Sequence, residues 1–288
     1  MAAAGPLAPE AVDRAAARVE ARGWIPDVGE HARGRHGFLA APDQARLGDL
    51  NRALRDPEVD AIWLLRGGYG TMRLLESIDW EAIERRPRAV IGFSDNTAIH
   101  LALSHRGIVS FHGPHPAAED FPDFSADLLT RMLRGESVGA LPRDDDAPPV
   151  VLRGGTAEGR LIGGNLAMLA ATLGTPYQVD ASGAILAIED VGEPPYRIDR
   201  LLTQLRLAGV LRDVGGVALG TFAECEGDAD HPGLEEVFAD RLGDLGVPVV
   251  TGLPFGHVPR NWTLPFGVRA RLDAGAGTLE LLEPAVER

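Results

Sequence analysis

Ser94 follows a short apolar run, 89–93, long enough for a buried strand, and a helix-like stretch opens at Asp95. A serine at a sharp strand-to-helix turn has its hydroxyl pushed out of the sheet, with the next N–H groups pointing at whatever that hydroxyl attacks. Such a hydroxyl is a candidate nucleophile. The position equally suits a helix N-cap, and the turn reads Gly92-Phe-Ser-Asp-Asn96, not G-x-S-x-G. An activated serine needs a base in reach and a group to orient that base. The chain offers eight histidines. His257 sits in a loop, 253–265, rich in proline and glycine and placed just after an apolar strand. Such stiffness fixes a side chain and suits a general base, though a packing histidine would fit there too. Glu189 is the natural orienting acid. It ends an apolar strand, 184–188, where an ionised carboxylate is costly without a donor nearby. A histidine N–H would supply one, as would Arg197 or Arg200. Of the other histidines, His31, His36 and His231 lie in polar, loop-like contexts where solvation is expected. His100 and His105 are expected along the surface of the helix after Ser94. His112 and His115 form a pair without a carboxylate at ligand spacing, a poor zinc site.

The elements that would carry these groups alternate. Helices are predicted over 9–22 and 43–56, the latter with Leu47, Leu50 and Leu54 at helical spacing. A strand over 60–65 leads into Arg66-Gly-Gly-Tyr-Gly70, where three glycines in four positions allow close approach of a ligand or tight packing. The turn lacks both the lysine and the spacing of a phosphate-binding loop. A helix over 71–78, the strand ending at Phe93, a helix over 95–105 and a strand over 108–111 follow. Alternation of this kind argues for a parallel sheet covered on both faces, with ligands bound beyond the strands' carboxyl ends. Arg66 to Gly70, Ser94 and His112 should then share a rim. The proline-rich, acidic stretch 141–149 is the best linker. It divides the chain into 1–145, carrying the nucleophile, and 146–288, carrying the acid and the base. In the second part, Gly163-Gly-Asn165 precedes a helix over 166–173. Helix 196–208, strands 214–225 and 247–251, and a hairpin from 268–273 and 278–282 complete the reading.

Hydrophobic content of 45% with 24% charged residues is that of a soluble globular protein, and the net charge is −14. So acidic a surface repels phosphate backbones and anionic lipid, which argues against nucleic-acid and membrane partners. Cys225 is the only cysteine, so an intrachain disulfide is impossible and a thiolate zinc site is not expected. The N-terminus lacks the basic and apolar regions of a secretory signal. No run reaches the roughly 20 apolar residues of a membrane helix. The expected compartment is the cytoplasm.

Several separated segments agree with one family. Residues 65–70, 91–97, 112–114, 163–166, 186–193 with 196–200, and 256–257 with 261–267 resemble, in order, the LD-carboxypeptidases of serine peptidase family S66. Relatives of that family include the microcin-C immunity peptidases. The architecture expected is α/β: an N-terminal parallel-sheet domain and a C-terminal mixed domain with a β-rich, barrel-like sheet. The resemblance implies a Ser-Glu-His triad falling on Ser94, Glu189 and His257, and oxyanion donors at the N–H groups of Gly68 and Asp95. It implies no metal or cofactor, a peptide substrate, and often a homodimer. That substrate would be a murein tetrapeptide losing D-alanine from the L-centre of a diamino acid, in peptidoglycan recycling. Arg66 and Asn165 are candidate contacts for its free carboxylate, although Arg66 also suits a structural pair. Two alternatives stay open. One is an immunity-type peptidase cleaving an aminoacyl-nucleotide conjugate, with Trp262 and Tyr69 as candidate aromatic platforms. The other is a non-catalytic α/β ligand-binding protein using the same rim. One departure stands out: the family's full first strand and its Pro-Ser turn are reduced here to Ala4-Gly-Pro-Leu7, so the sheet edge is expected to be truncated or remodelled.

Overall fold

The computed structural model describes residues 1–142, 148–227, 230 and 232–286. The division expected at 145/146, and His231, lie outside the described residues. In the first half the elements are α1 (Pro9–Glu20), α2 (Asp43–Arg55), β1 (Ala61–Trp63), α3 (Trp80–Arg85), β2 (Ala89–Gly92), α4 (Thr97–Ser104), β3 (Ser110–His112) and α5 (Asp123–Leu133). Two 3-10 turns, Met72–Ser77 and Ser94–Asn96, stand where longer helices are predicted. The second half contributes β4 (Val150–Arg153), β5 (Thr156–Asn165), α6 (Leu166–Ala171), β6 (Ile185–Val191), α7 (Pro195–Leu207) and β7 (Gly216–Ala223). It ends with α8 (Leu234–Leu242), β8 (Val249–Thr251), β9 (Leu264–Phe266), β10 (Arg269–Asp273) and β11 (Thr278–Leu281).

Local chemistry accounts for the boundaries. Helix α1 opens with Pro9 in its first turn and Glu10 near its positive end, and carries Arg18 in its last turn. Its small apolar stripe, Ala11, Val12 and Ala15, is buried. Asp79 caps α3 by accepting from the Ala82 N–H at 3.0 Å.

The strands form two sheets. The first runs β1-β2-β3-β9, parallel through β3, with β9 antiparallel to β3 through His112↔Leu264 and Ser110↔Phe266. The second is a curled seven-stranded half-barrel, β11-β10-β5-β6-β7-β8-β4. Its centre, β5 to β8, is parallel, and β4 and the β10–β11 hairpin close it antiparallel. Strand β9 belongs by sequence to the second half and by pairing to the first sheet. Its Leu-Pro-Phe reads as loop because proline interrupts strand pairing, and proline is tolerated here because β9 is an edge.

The edge next to β1 is not lost. Residues Met1 to Ala4 lie along it, with the Met1 amine donating to Trp63 O at 2.9 Å and Leu65 N–H to Met1 O at 2.9 Å. Gly5 N–H then reaches Gly67 O at 3.1 Å, so the short lead-in braces the glycine turn.

Three main apolar clusters hold the layers. Helices α2, α3 and α4 cover one face of the first sheet through Leu50, Leu54, Ile83, Val90, Ile99 and Leu103. Helices α6, α7 and α8 cover the half-barrel through Ile188, Ile198, Leu202, Leu205 and Phe238. Between the sheets lie Ile91, Phe111, Ile185, Phe255, Trp262 and Phe266. Among the described residues no helix is long and apolar enough to cross a membrane.

Candidate active site

Strand β2 ends at Gly92, Phe93 is extended, and at Ser94 the chain turns sharply with φ of 63°. Among the described residues only Glu224 shares this left-handed region without being glycine. A non-glycine residue there costs on the order of 1–3 kcal/mol and persists only where its surroundings over-determine it. They do so here. Asn96 Nδ2 donates to Arg66 O at 3.2 Å and Phe93 O at 3.1 Å. Thr71 N–H donates to Asp95 Oδ2 at 2.8 Å, and Thr71 Oγ1 to Asn96 Oδ1 at 3.2 Å. The serine turn and the glycine turn are thereby tied into one unit. The cap position of this turn is Phe93 and that of α4 is Asn96, and neither side chain makes a capping hydrogen bond. The N-cap alternative therefore does not describe this serine.

Gly67 must be glycine. A Cβ added there would lie 2.7 Å from Ser94 Cβ, 2.9 Å from its Oγ and 3.1 Å from Asp95 N. The glycine turn thus lines the side of the serine where the Asp95 N–H stands. Among the described residues neither the Gly68 N–H nor the Asp95 N–H donates to a protein acceptor, so both remain available to an oxyanion.

Glu189 sits near the end of β6, in register with Asn165 of β5, and is fully buried. Its Oε2 accepts from His257 Nδ1 at 2.7 Å. That contact makes Nδ1 the protonated nitrogen and leaves the Nε2 lone pair to act as base. Burial pushes the Glu189 carboxyl up, but the His112 and His257 imidazoles outweigh it and hold the group down at about 2. The rival arginines go elsewhere: Arg197 pairs with Glu193 at 2.8 Å, and Arg200 lies over the Tyr196 ring. His257 comes this close because Gly256 precedes it, with φ of +107°; a Cβ there would meet Glu189 Oε2 at 2.7 Å. Asn261 Oδ1 holds the loop by accepting from Gly256 N–H at 2.9 Å. Phe93, next to Ser94, packs edge-on to the His257 ring at 4.8 Å. That contact brings the residue before Ser94 against the base, and no hydrogen bond joins Ser94 to His257 in this structure. Such bonds are often loose without substrate and tighten when it is bound.

Arg66 is exposed at the rim, its Nη1 donating to Pro6 O at 3.0 Å. Asn165 is buried and engaged at both ends of its amide: Nδ2 donates to Asp190 Oδ1 at 2.8 Å, and Oδ1 caps α6 through Met168 N–H at 3.2 Å. Its main-chain N–H reaches Thr97 Oγ1 at 3.0 Å, linking β5 to the helix after Ser94. Asp190 also takes the Ala167 N–H at 3.0 Å, and burial pushes its carboxyl up to about 6.

The histidines depart from expectation. His100 is buried, not on a surface: its Nε2 meets Gly92 O at 2.7 Å and its Nδ1 meets Ser110 Oγ at 2.9 Å, and burial lowers it to about 3. The helix turns this position onto the sheet, which a polar letter in a short apolar helix does not reveal. His105 is exposed and contacts Gln178 O at 2.7 Å. His31 is not simply solvated, since it bonds Asp49 at 3.1 Å. His115 is buried, its Nε2 accepting from Phe93 N–H at 3.3 Å, and desolvation keeps it well below its ordinary range. His112 is fully buried, 3.7 Å from Glu189 Oε1. Its position at a strand's carboxyl end was the signal available. Trp262 is buried and donates to Pro142 O, which removes it as a platform. Tyr69 is half exposed and meets Phe38 edge-on. Among the described residues no group of three or more His, Cys, Asp or Glu could hold a metal ion.

Residues 1–113 match the LD-carboxypeptidase N-terminal domain, and 158–272 match the C-terminal domain. A putative carboxypeptidase of Synechocystis sp. is 48% identical over 251 residues, covering 86% of this chain and 81% of its own. The murein tetrapeptide carboxypeptidase of Pseudomonas aeruginosa is 35% identical over 281 residues, covering 95% and 92%. The crystal structure of muramoyltetrapeptide carboxypeptidase from Oxalobacter formigenes aligns with a TM-score of 0.85 at 33% identity, covering 98% and 97%. Architecture and relatives together define a serine-type carboxypeptidase, a hydrolase. The chain belongs to the LD-carboxypeptidase family of serine peptidases, S66.

Proposed function

We propose that this carboxypeptidase removes the terminal D-alanine of a murein tetrapeptide by cutting the amide at the L-centre of its diamino acid. The observation that carries the mechanism is the 2.7 Å contact between His257 Nδ1 and the fully buried Glu189, with Phe93, the residue before Ser94, packed against the His257 ring. His257 Nε2 takes the Ser94 proton, and Oγ attacks the amide carbonyl carbon. The N–H groups of Gly68 and Asp95 receive the oxyanion. The resulting imidazolium, held by Glu189, gives its proton to the leaving amine of D-alanine. Water, deprotonated by His257, then cleaves the acyl-enzyme and restores Ser94. Losing one oxyanion donor costs about 3–4 kcal/mol of barrier, so the glycine turn matters as much as the side chains. Arg66, exposed beside Gly68, is the group we assign to the substrate carboxylate. Asn165 can offer only its second Nδ2 proton, the first being given to Asp190.

Purified protein incubated with L,D-linked tetrapeptide should release one alanine, read by mass spectrometry, and Ser94→Ala should abolish the release. Hydrolysis unchanged in Ser94→Ala would overturn the mechanism. Turnover of an aminoacyl sulfamoyl adenylate with the tetrapeptide left intact would overturn the substrate.

A further inference from the structure

Glu189 uses only half of its carboxylate on His257. Its other oxygen, Oε1, is buried and takes no hydrogen bond, and both ring nitrogens of His112 are buried and unpartnered. The two residues are fully enclosed, and His112 Nε2 lies 3.7 Å from Oε1. Buried polar atoms are seldom left unsatisfied, and an ionised carboxylate least of all. Here the acceptor that lacks a donor faces a ring that lacks an acceptor. We infer that His112 is a second imidazole on the triad acid: its Nε2–H donates to Glu189 Oε1, so that the carboxylate is clamped between two histidines and turned to present Oε2 to His257. The inference rests on the Ser94–Glu189–His257 reading and adds a positioning residue to it.

The other titratable and charged groups nearby are engaged elsewhere. From the loop before β9, His257 occupies Oε2. On β6, Asp190 turns its carboxylate to Asn165, Ala167 and Val191. On α4, His100 spends both nitrogens on Ser110 and Gly92. After β3, His115 accepts from Phe93 through Nε2 and stacks on its ring. Arg66 reaches toward Pro6. The His112 ring is fixed by Phe93, Phe255 and Phe266, whose centroids lie 5.6, 6.4 and 5.4 Å away.

The gap of 3.7 Å has a structural meaning, because His112 is on β3 of the first sheet and Glu189 on β6 of the half-barrel. Closing the seam between the sheets by under about 1 Å brings the pair into hydrogen-bond range.

A donor on Oε1 stabilises the unprotonated Glu189–His257 pair more than the protonated one. Removing it raises the pair's affinity for a proton, so the acidic limb of the kcat/KM profile moves to higher pH. In His112→Phe, which keeps a ring and loses the donor, that limb should rise by about one pH unit. Its kcat should fall about 10- to 100-fold, as for lost outer partners of catalytic groups, with KM within a factor of two. His112→Gln, which restores an N–H donor, should bring the limb back toward wild type. Should His112→Phe not fold, the 15N imidazole spectrum of the wild-type protein decides: His112 protonated on Nε2, with a shift that changes in Glu189→Gln, is expected. An Nδ1-protonated His112 would overturn the clamp, as would a His112→Phe profile that overlays wild type. If Ser94→Ala is inactive and the His112→Phe profile is unmoved, only the clamp is lost. Hydrolysis surviving Ser94→Ala removes the triad and the clamp together.

Discussion

At Ser94 the backbone is strained and is held by the hydrogen bonds of Asn96 and Thr71, with no capping bond from the serine's own side chain. Relief of that strain should be measurable. Glycine adopts positive φ without the penalty carried by an L side chain, while alanine keeps it. Ser94→Gly should therefore unfold at or above the wild-type temperature, about 1 kcal/mol more stable, and Ser94→Ala should not; both should be inactive. Thermal unfolding of the two variants beside wild type checks this. A Ser94→Gly variant less stable than Ser94→Ala would show that the turn is not strained. At this scale the sequence was legible where a polar residue ended an apolar strand, because a strand's end must face the rim. Ser94 and Glu189 stood out for that reason, and His257 because its loop is stiff. His112 was legible as a rim position but not as a buried one, and the burial of His100 and His115 was not legible: whether a histidine faces core or solvent depends on which sheet its element packs against.

Strand β6 ends in two adjacent carboxylates with opposite electrostatics. Glu189 is lowered from 4.5 to about 2, where two imidazoles outweigh desolvation, and Asp190 is raised from 3.8 to about 6, where desolvation prevails over its hydrogen bonds. For Glu189 the lowered folded value means stability present above pH 4.5 and lost as pH falls toward 2. For Asp190 the raised value means stability present below pH 3.8 and lost as pH rises through about 6. Asp190→Asn cannot ionise and escapes the second loss. Its melting temperature relative to wild type should rise between pH 4 and pH 7, whatever its absolute value. A flat difference across that range would place Asp190 in an environment no drier than water. Among the elements themselves, β1, β2, β3, β6 and the terminal hairpin follow from apolar runs between turn residues. β9 did not, because its pairing partner lies more than a hundred residues away and its proline argues for a loop. β5 was obscured by its glycines, which reduced it to a lead-in for the next helix.

Across the whole molecule, the proposed reacting groups come from two sheets, so chemistry depends on how closely those sheets meet. Thr97 Oγ1 on α4 accepts the Asn165 N–H of β5, and β9 pairs with β3 while its loop carries His257. The approach at Thr97 is possible only because residue 164 has no side chain: a Cβ there would stand 2.4 Å from Thr97 Oγ1 and 2.5 Å from Cγ2, at φ of +134°. Gly164→Ala must therefore push the first sheet from the half-barrel or distort β5. Positive φ and overpacking each cost about 1–3 kcal/mol, so a loss of roughly 2–5 kcal/mol is expected in urea unfolding. Activity should fall further than stability explains, since Glu189, beside Asn165 in the sheet, moves relative to Ser94. Gly48→Ala is the matched control. Gly48 lies in α2 with nothing within 4 Å of an added Cβ, so the same change there should stabilise by about 0.5–1 kcal/mol through helix propensity and leave kcat unchanged. If both substitutions shift stability alike and neither touches kcat, the seam between the sheets does not set the geometry of the reaction.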